Sequence, residues 1–212
     1  MKSVSILLDG GFVTKKLYTL LGNRQPTAQE VLDFSKCCLK EDEELFRIYY
    51  YDCPPYEKKI TNPISTEEID FSATDVCGQK KSLQDSLAVT DYIAFRRGVL
   101  SFKGWVLKRK ALKEITRTAR PLTAEDFEPE FTQKEVDIKI GLDVAWLASK
   151  RIVQRIILVT GDSDFVPAMK FARREGVQVI LVPMGHRQIG VGLKEHADEV
   201  RDVIYPPIST TI

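Results

Sequence analysis

Two apolar runs in this chain stop abruptly on acids. Val4-Ser5-Ile6-Leu7-Leu8 leads into Asp9-Gly10-Gly11, and Ile156-Ile157-Leu158-Val159 leads into Thr160-Gly161-Asp162-Ser163-Asp164. Short, nearly unbroken apolar runs of this kind are strands buried on both faces of a parallel sheet. Between them the pattern switches to helical spacing. A helix is predicted from Phe12 to Leu21, broken by Gly22-Asn23-Arg24-Gln25-Pro26. Thr27 with Glu30 makes a capping box that opens a second helix to about Lys40. Leu45 to Cys53 reads as strand, stopped by Pro54-Pro55. Residues 56–79 are polar and irregular, a loop or insertion. Leu83, Leu87 and the stretch 91–97 predict a helix ending at Gly98, and 99–107 a strand pair or hairpin around Lys103-Gly104. Residues 121–130 read as loop. Thr132 with Glu135 suggests another capping box, starting a helix through Ser149. Strand 155–160, helix 164–175 closed by Gly176, strand 177–182 ended by Pro183, a short helix near 193–201 and a Pro-containing tail complete the chain. Alternating strands and helices predict an α/β fold with a mainly parallel central sheet.

Composition alters this picture little. A chain of 212 residues, 43% hydrophobic and 29% charged, has the makeup of a globular protein. No apolar stretch approaches the roughly 20 residues that span a bilayer, and the first apolar run is expected to be a strand rather than a signal peptide. Cys37, Cys38, Cys53 and Cys77 lack zinc-like spacing and are expected as free thiols in a reducing cytoplasm. The net charge of +1 hides an asymmetry: between Arg96 and Arg120 nine basic residues meet one acid, Glu114. That window carries +8, the remainder −7.

The ends of the two acidic strands carry the candidate chemistry. In an open parallel sheet, ligands bind beyond the carboxyl ends of the strands, where Asp9 and Asp162 fall. Asp137 and Asp143 lie on the helix between these strands. Six residues place Asp143 about 120° around that helix from Asp137 and roughly 9 Å along it, so the two do not grip one ion together. Asp143 is expected at the periphery, or as the partner of Lys139 at i−4. Taken singly, Asp162 or Asp164 reads as a helix cap. Asp52, ending the second strand, lies near the same edge or makes the turn before Pro54. Asp9-Gly10-Gly11 lacks both the Asp-x-Asp of dehalogenase-type phosphatases and a P-loop lysine. With two histidines and no Ser–His–Asp grouping, metal-free acid–base cleavage is disfavoured.

Three segments in order carry a family resemblance: Ile6-Leu7-Leu8-Asp9-Gly10-Gly11-Phe12, Gln133 through Asp143, and Thr160-Gly161-Asp162-Ser163-Asp164-Phe165-Val166-Pro167. Together they resemble the NYN domain family, the LabA-like group of PIN-like nucleases. The resemblance implies a PIN-like Rossmannoid fold, a three-layer sandwich, over residues 1–205. A polar insertion near 56–79, a basic hairpin and helix segment near 96–120, and a tail at 206–212 are expected with it. It implies a metal-dependent ribonuclease in which Asp9, Asp137 and Asp162 match the metal-binding acids and Asp164 a fourth. Two positions depart from the family pattern: Phe12 stands where many members carry Asn, and Glu135 where glycine is frequent.

Aspartate oxygens suit hard cations, so Mg²⁺ or Mn²⁺ is the expected cofactor. The expected reaction is hydrolysis of RNA phosphodiesters, endonucleolytic rather than from an end, in the cytoplasm and without a membrane partner. Lys108, Arg109 and Lys110 are the preferred RNA contacts, since a cationic path offsets repulsion between substrate and acids. Phe95, Phe102 and Trp105 read first as core, as do Trp146 and Leu147; His186 reads as a loop residue. A homodimer is the other partner considered. Two alternatives stand beside the nuclease: a non-catalytic RNA- or protein-binding module of the same fold, and a metal-dependent phosphatase or nucleotidase.

Overall fold

The computed structural model describes residues 1–186 and 189–206. From the N-terminus, β1 (Lys2–Asp9) runs into α1 (Gly10–Leu20), then α2 (Ala28–Cys37) and β2 (Glu43–Asp52). Two short strands, β3 (Lys59–Thr61) and β4 (Glu68–Asp70), precede α3 (Asp75–Ala88) and β5 (Ile93–Arg97). The chain then makes an excursion through β6 (Val99–Leu107), α4 (Arg109–Thr118) and β7 (Phe127–Lys134) before re-entering the body at α5 (Val136–Ser149). It closes with β8 (Arg155–Val159), α6 (Val166–Arg174), β9 (Gln178–Val182), α7 (Val191–Glu195) and β10 (Glu199–Val200).

Six parallel strands form one sheet in the order β10-β9-β8-β1-β2-β5. The period of two along each strand assigns the faces. Ile6 and Leu8 of β1 pack with Val13 and Leu17 of α1, Phe34 of α2 and Leu87 of α3. Leu7 packs oppositely with Tyr49, with Ile140 and Leu147 of α5, and with Met169 of α6. Ile6, Leu7 and Leu8 are fully buried, as the unbroken apolar run requires of a central strand covered on both sides. The result is an α/β three-layer sandwich with a parallel central sheet.

Several local expectations are corrected. Residues 91–97 are not the end of a helix: α3 stops at Ala88, and Ile93–Arg97 is an edge strand parallel to β2. Residues 99–107 are one strand, not a hairpin, and the bulge between Phe102 and Gly104 lies where a turn was expected. Its antiparallel partner is β7, which includes part of the expected loop 121–130. The segment 56–79 contains the β3–β4 pair and the start of α3. Glu135 makes no capping box; it sits at φ 72°, a left-handed conformation suited to glycine, and its carboxylate pairs with Lys139 at 2.9 Å. The expected helix at 193–201 is instead α7 followed by β10. Trp146 is not core: with Ile138 and Leu142 it forms an exposed row on α5, whereas Leu147 is buried. Phe102 packs with Tyr56 and Phe131 in a small aromatic cluster, and Phe95 against Tyr50. All four cysteines are unpaired. No described helix is long and apolar enough to cross a membrane. Residues 207–212 of the expected tail lie outside the described residues.

At the amino-terminal edge of the sheet the side chain of Glu43 has no exposed surface, and it accepts from Arg155 at 2.7 Å and Arg201 at 2.8 Å. Burial opposes its charge, but bonds from Arg201, the Lys40 amide and Arg155 outweigh that and hold its carboxyl below the usual range. The cluster joins β2, β8 and the segment after β10. Removing one member of a buried ion group strands the others, so Glu43→Ala is expected to cost about 3 kcal/mol of stability in urea denaturation.

Candidate active site

The sheet order reverses between β1 and β8. From β1 the chain proceeds outward to β2 and β5, then returns to the other flank of β1 and proceeds through β9 to β10. The crevice at such a reversal, beyond the carboxyl ends, is where open α/β sheets bind ligands. Leu8 is in register with Val159, so Asp9 and Thr160 leave the sheet side by side.

The turn out of β1 requires glycine. A Cβ on Gly10 would lie 2.5 Å from the Tyr51 carbonyl oxygen and 2.9 Å from Asp52 Cβ, so α1 starts pressed against the end of β2. Asp9 caps this helix: its Oδ1 accepts from the Phe12 amide at 3.3 Å. Its Oδ2 accepts from Thr160 Oγ1 at 3.2 Å, and the same Thr160 oxygen accepts from the Asp162 amide at 3.1 Å. Asp162 Oδ1 then accepts from the Asp164 amide at 2.9 Å, capping the 3₁₀ turn Ser163–Phe165. The capping role expected of Asp162 is therefore real and Asp9 caps as well, and these bonds orient the carboxylates rather than compete with a role at the edge. Asp137 projects from the first turn of α5.

These acids lie within one another's electrostatic reach. The Asp9 carboxyl is held above its usual range, first by burial, which outweighs the bonds from Phe12 and Thr160; the charges of Asp137 and Asp162 add to the rise. Asp137 is also raised, first by burial and then by Asp162 and Asp164. Among the described residues no three His, Cys, Asp or Glu groups stand close enough to enclose a cation. Asp9 and Asp162 are each held by a capping bond, and mutual repulsion among the acids opposes closer approach. The donor set nevertheless fits a hard cation of the Mg²⁺ type, which keeps several waters and takes only one or two carboxylates, all through oxygen. Asp9, Asp137 and Asp162, with Asp164 beside them, are the residues that would hold it.

Other expected residues lie elsewhere. Asp143 does not pair with Lys139: its carboxylate accepts from Tyr51 Oη at 2.8 Å and from Arg96 Nε at 3.1 Å. Asp52 is buried beneath α3, accepting from Lys80 Nζ at 2.9 Å and Gln84 Nε2 at 2.8 Å, which makes it a structural anchor. Lys108, Arg109 and Lys110 sit at the far end of the β6–β7 ribbon, where Leu107 pairs with Phe127. Only the near end, Val99 opposite Lys134, adjoins Asp137. Eight strand steps separate the two ends, on the order of 25 Å.

Two further residues adjoin the acids. Thr160 is fully buried and joins Asp9 to Asp162 through one hydroxyl; its only sequence signal is a hydroxyl residue immediately after the β8 run. His186, read as a loop residue, stands edge-to-face with Phe12 at 5.9 Å, and both rings close on Gly161.

The architecture is that of a PIN-like α/β sandwich. A crystal structure of a protein of unknown function, VPA0982, from Vibrio parahaemolyticus has the same fold: TM-score 0.52 and 17% identity, with 96% of this chain and 94% of that one covered. The family model of the NYN domain matches residues 38–204, and the chain belongs to that family, a nuclease-like branch of the PIN-like superfamily whose members are generally metal-dependent. The matched stretch contains Asp137, Asp162 and Asp164 and begins after Asp9. Among curated proteins, the uncharacterized protein MJ0482 of Methanocaldococcus jannaschii is 33% identical over 58 residues, 27% of this chain and 24% of that protein. The chain thus aligns with about a quarter of that relative's length.

The raised carboxyl of Asp9 has a definite sign in the metal-free protein. A folded-state value above the unfolded one favours folding at low pH, and that contribution is lost as pH rises from the ordinary 3.8 through the raised value. Asp9→Asn carries no such penalty. It is expected to melt above the wild type at pH 7 in chelator, with the difference shrinking towards pH 3, as measured by thermal denaturation across pH.

Proposed function

We propose that this chain is a metal-dependent ribonuclease that hydrolyses RNA phosphodiester bonds, cutting endonucleolytically, through Asp9, Asp137, Asp162 and Asp164. The observation that carries the reading is the hydrogen-bonded chain from Asp9 through Thr160 to Asp162 at the sheet's reversal point, with Asp137 in electrostatic reach of it. Four carboxylates gathered at one edge repel any phosphate, so they serve phosphodiester chemistry only with a divalent cation between them and the substrate. Bound there, Mg²⁺ or Mn²⁺ supplies positive charge for the phosphate oxygens and acidifies water.

The protein's own contribution is positioning. Thr160 and the Phe12 amide fix both oxygens of Asp9, and the Asp164 amide fixes one oxygen of Asp162. Phe12 and His186 wall the crevice beside Gly161 and restrict water there. The activity is assigned to one NYN/PIN-like domain over residues 1–205, acting in the cytoplasm.

The distal helix supplies the RNA grip. On α4, Arg109, Lys110, Lys113 and Arg117 fall within an arc of about 100°, and Ala111, on another face, is the helix's buried residue. A strand reaching from the acidic edge to this helix crosses roughly 25 Å, which suits internal cutting of a long RNA better than trimming of an end.

Labelled RNA is expected to be cleaved in Mn²⁺ or Mg²⁺ and spared in chelator. The Asp9→Asn/Asp162→Asn double variant should lose at least about a hundredfold in rate. Cleavage retained by that variant sinks the catalytic assignment; RNA binding without cleavage by the wild type leaves the non-catalytic module. Neutralising Lys108, Arg109 and Lys110 together should weaken binding and lower the slope of log affinity against log salt by about 2 for single-stranded RNA. An unchanged slope removes α4 from the RNA path.

A further inference from the structure

A groove of about 350 Å³ opens beside the acidic edge and is not used by the chemistry described above. One wall is α1, where Thr14, Lys15 and Tyr18 follow Gly11 at spacings of three, four and seven and therefore share a helix face. The other is α3, where Val76, Lys80 and Leu83 repeat the same spacing. Asp52 closes the floor, and Gly10-Gly11 forms the end adjoining Asp9. A Cβ at Gly11 would stand 3.7 Å from the Asp9 carboxylate, so groove and acid are separated only by backbone.

The lining is mainly apolar, with two cations. Val76 is 70% exposed and Tyr18 is 38% exposed, so both present apolar surface to the groove. Lys80 gives one of its three donors to the buried Asp52 carboxylate at 2.9 Å, which holds its ammonium at the groove while leaving donors for a ligand. Lys15 lines the opposite wall. Concave, largely apolar space with a few placed polar groups suits a small planar ligand, and an aromatic side chain beside cations suits a base carrying a phosphate.

We infer that the groove between α1 and α3 is a nucleotide subsite, receiving the base and phosphate of a nucleotide adjoining the bond that is cut. Tyr18 and Val76 cover the base, and Lys15 and Lys80 take the phosphate. The inference rests on the RNA-cleaving reading of the acidic edge, and it gives the mostly acidic remainder of the chain a local anion site independent of α4.

Titration of the isotopically labelled full chain in chelator with AMP, GMP, CMP and UMP tests binding without any cleavage, with inorganic phosphate in parallel. At least one nucleotide should produce saturable amide shifts at Gly11, Lys15, Tyr18 and Lys80, and bind at least about tenfold more tightly than phosphate. Val76→Trp, which fills the groove from an exposed position, and Lys15→Ala should each weaken that binding about tenfold. Equal affinity for phosphate, or shifts confined to α4, overturns the subsite. Nucleotide binding at these residues in a protein that cleaves no RNA retains the subsite and rejects the nuclease. RNA cleavage whose kcat/KM is unchanged by Val76→Trp and Tyr18→Ala retains the nuclease and rejects the subsite.

Discussion

An acid must emerge from the end of the most deeply buried strand of this protein, and the rest of the edge is arranged around that requirement. β1 is covered on both faces, so its last carboxylate has little water to stabilise its charge. Two local donors and one glycine answer this constraint. The start of α1 supplies the Phe12 amide, the end of β8 supplies the Thr160 hydroxyl, and Gly10 allows the helix to begin close enough to do so. Even so, burial prevails and the Asp9 carboxyl stays above its ordinary range. A residue so placed favours a cation, and the neighbouring acids are raised or oriented by the same crowding.

The two edges of the sheet differ in kind. At the amino-terminal edge Glu43 is enclosed by Arg155 and Arg201, and charge is neutralised within the fold. At the carboxyl edge no internal cation neutralises Asp9, Asp137 or Asp162 among the described residues, whereas Asp143 and Asp52, only slightly further away, are paired with Arg96 and Lys80. Internal pairing separates Asp143 and Asp52 from Asp9, Asp137 and Asp162. The basic excursion through β6, α4 and β7 is rooted next to Asp137 yet carries its charge far from it, so cation and anion sites are held apart instead of cancelling.

The relation to NYN proteins is consistent with this division. The family stretch covers β8 with its acids and the N-terminus of α5, while Asp9 enters through the strand that pairs directly with β8. Glu135 adopts a left-handed backbone conformation that suits glycine, and its carboxylate pairs with Lys139. Phe12 places an aromatic ring beside these acids, packed edge-to-face on His186.

The sequence by itself determined the strands with unbroken apolar runs, the parallel α/β class and the acids that end β1 and β8, because burial on both faces and a terminal carboxylate are local features of composition. It misassigned 91–97 and 99–107, since β5 is held as a strand by its pairing with β2, and β6 by a partner 20 to 35 residues distant. The sequence placed Asp143 away from Asp137 around the helix by helical geometry alone but named the wrong partner, because Arg96 and Tyr51 arrive from other strands. Only the tertiary structure decided that Thr160 joins Asp9 to Asp162, that Lys108, Arg109 and Lys110 stand at a distance from them, and that α1 and α3 enclose a groove. Those are properties of chain segments meeting in space, and no periodicity along one segment encodes its neighbour.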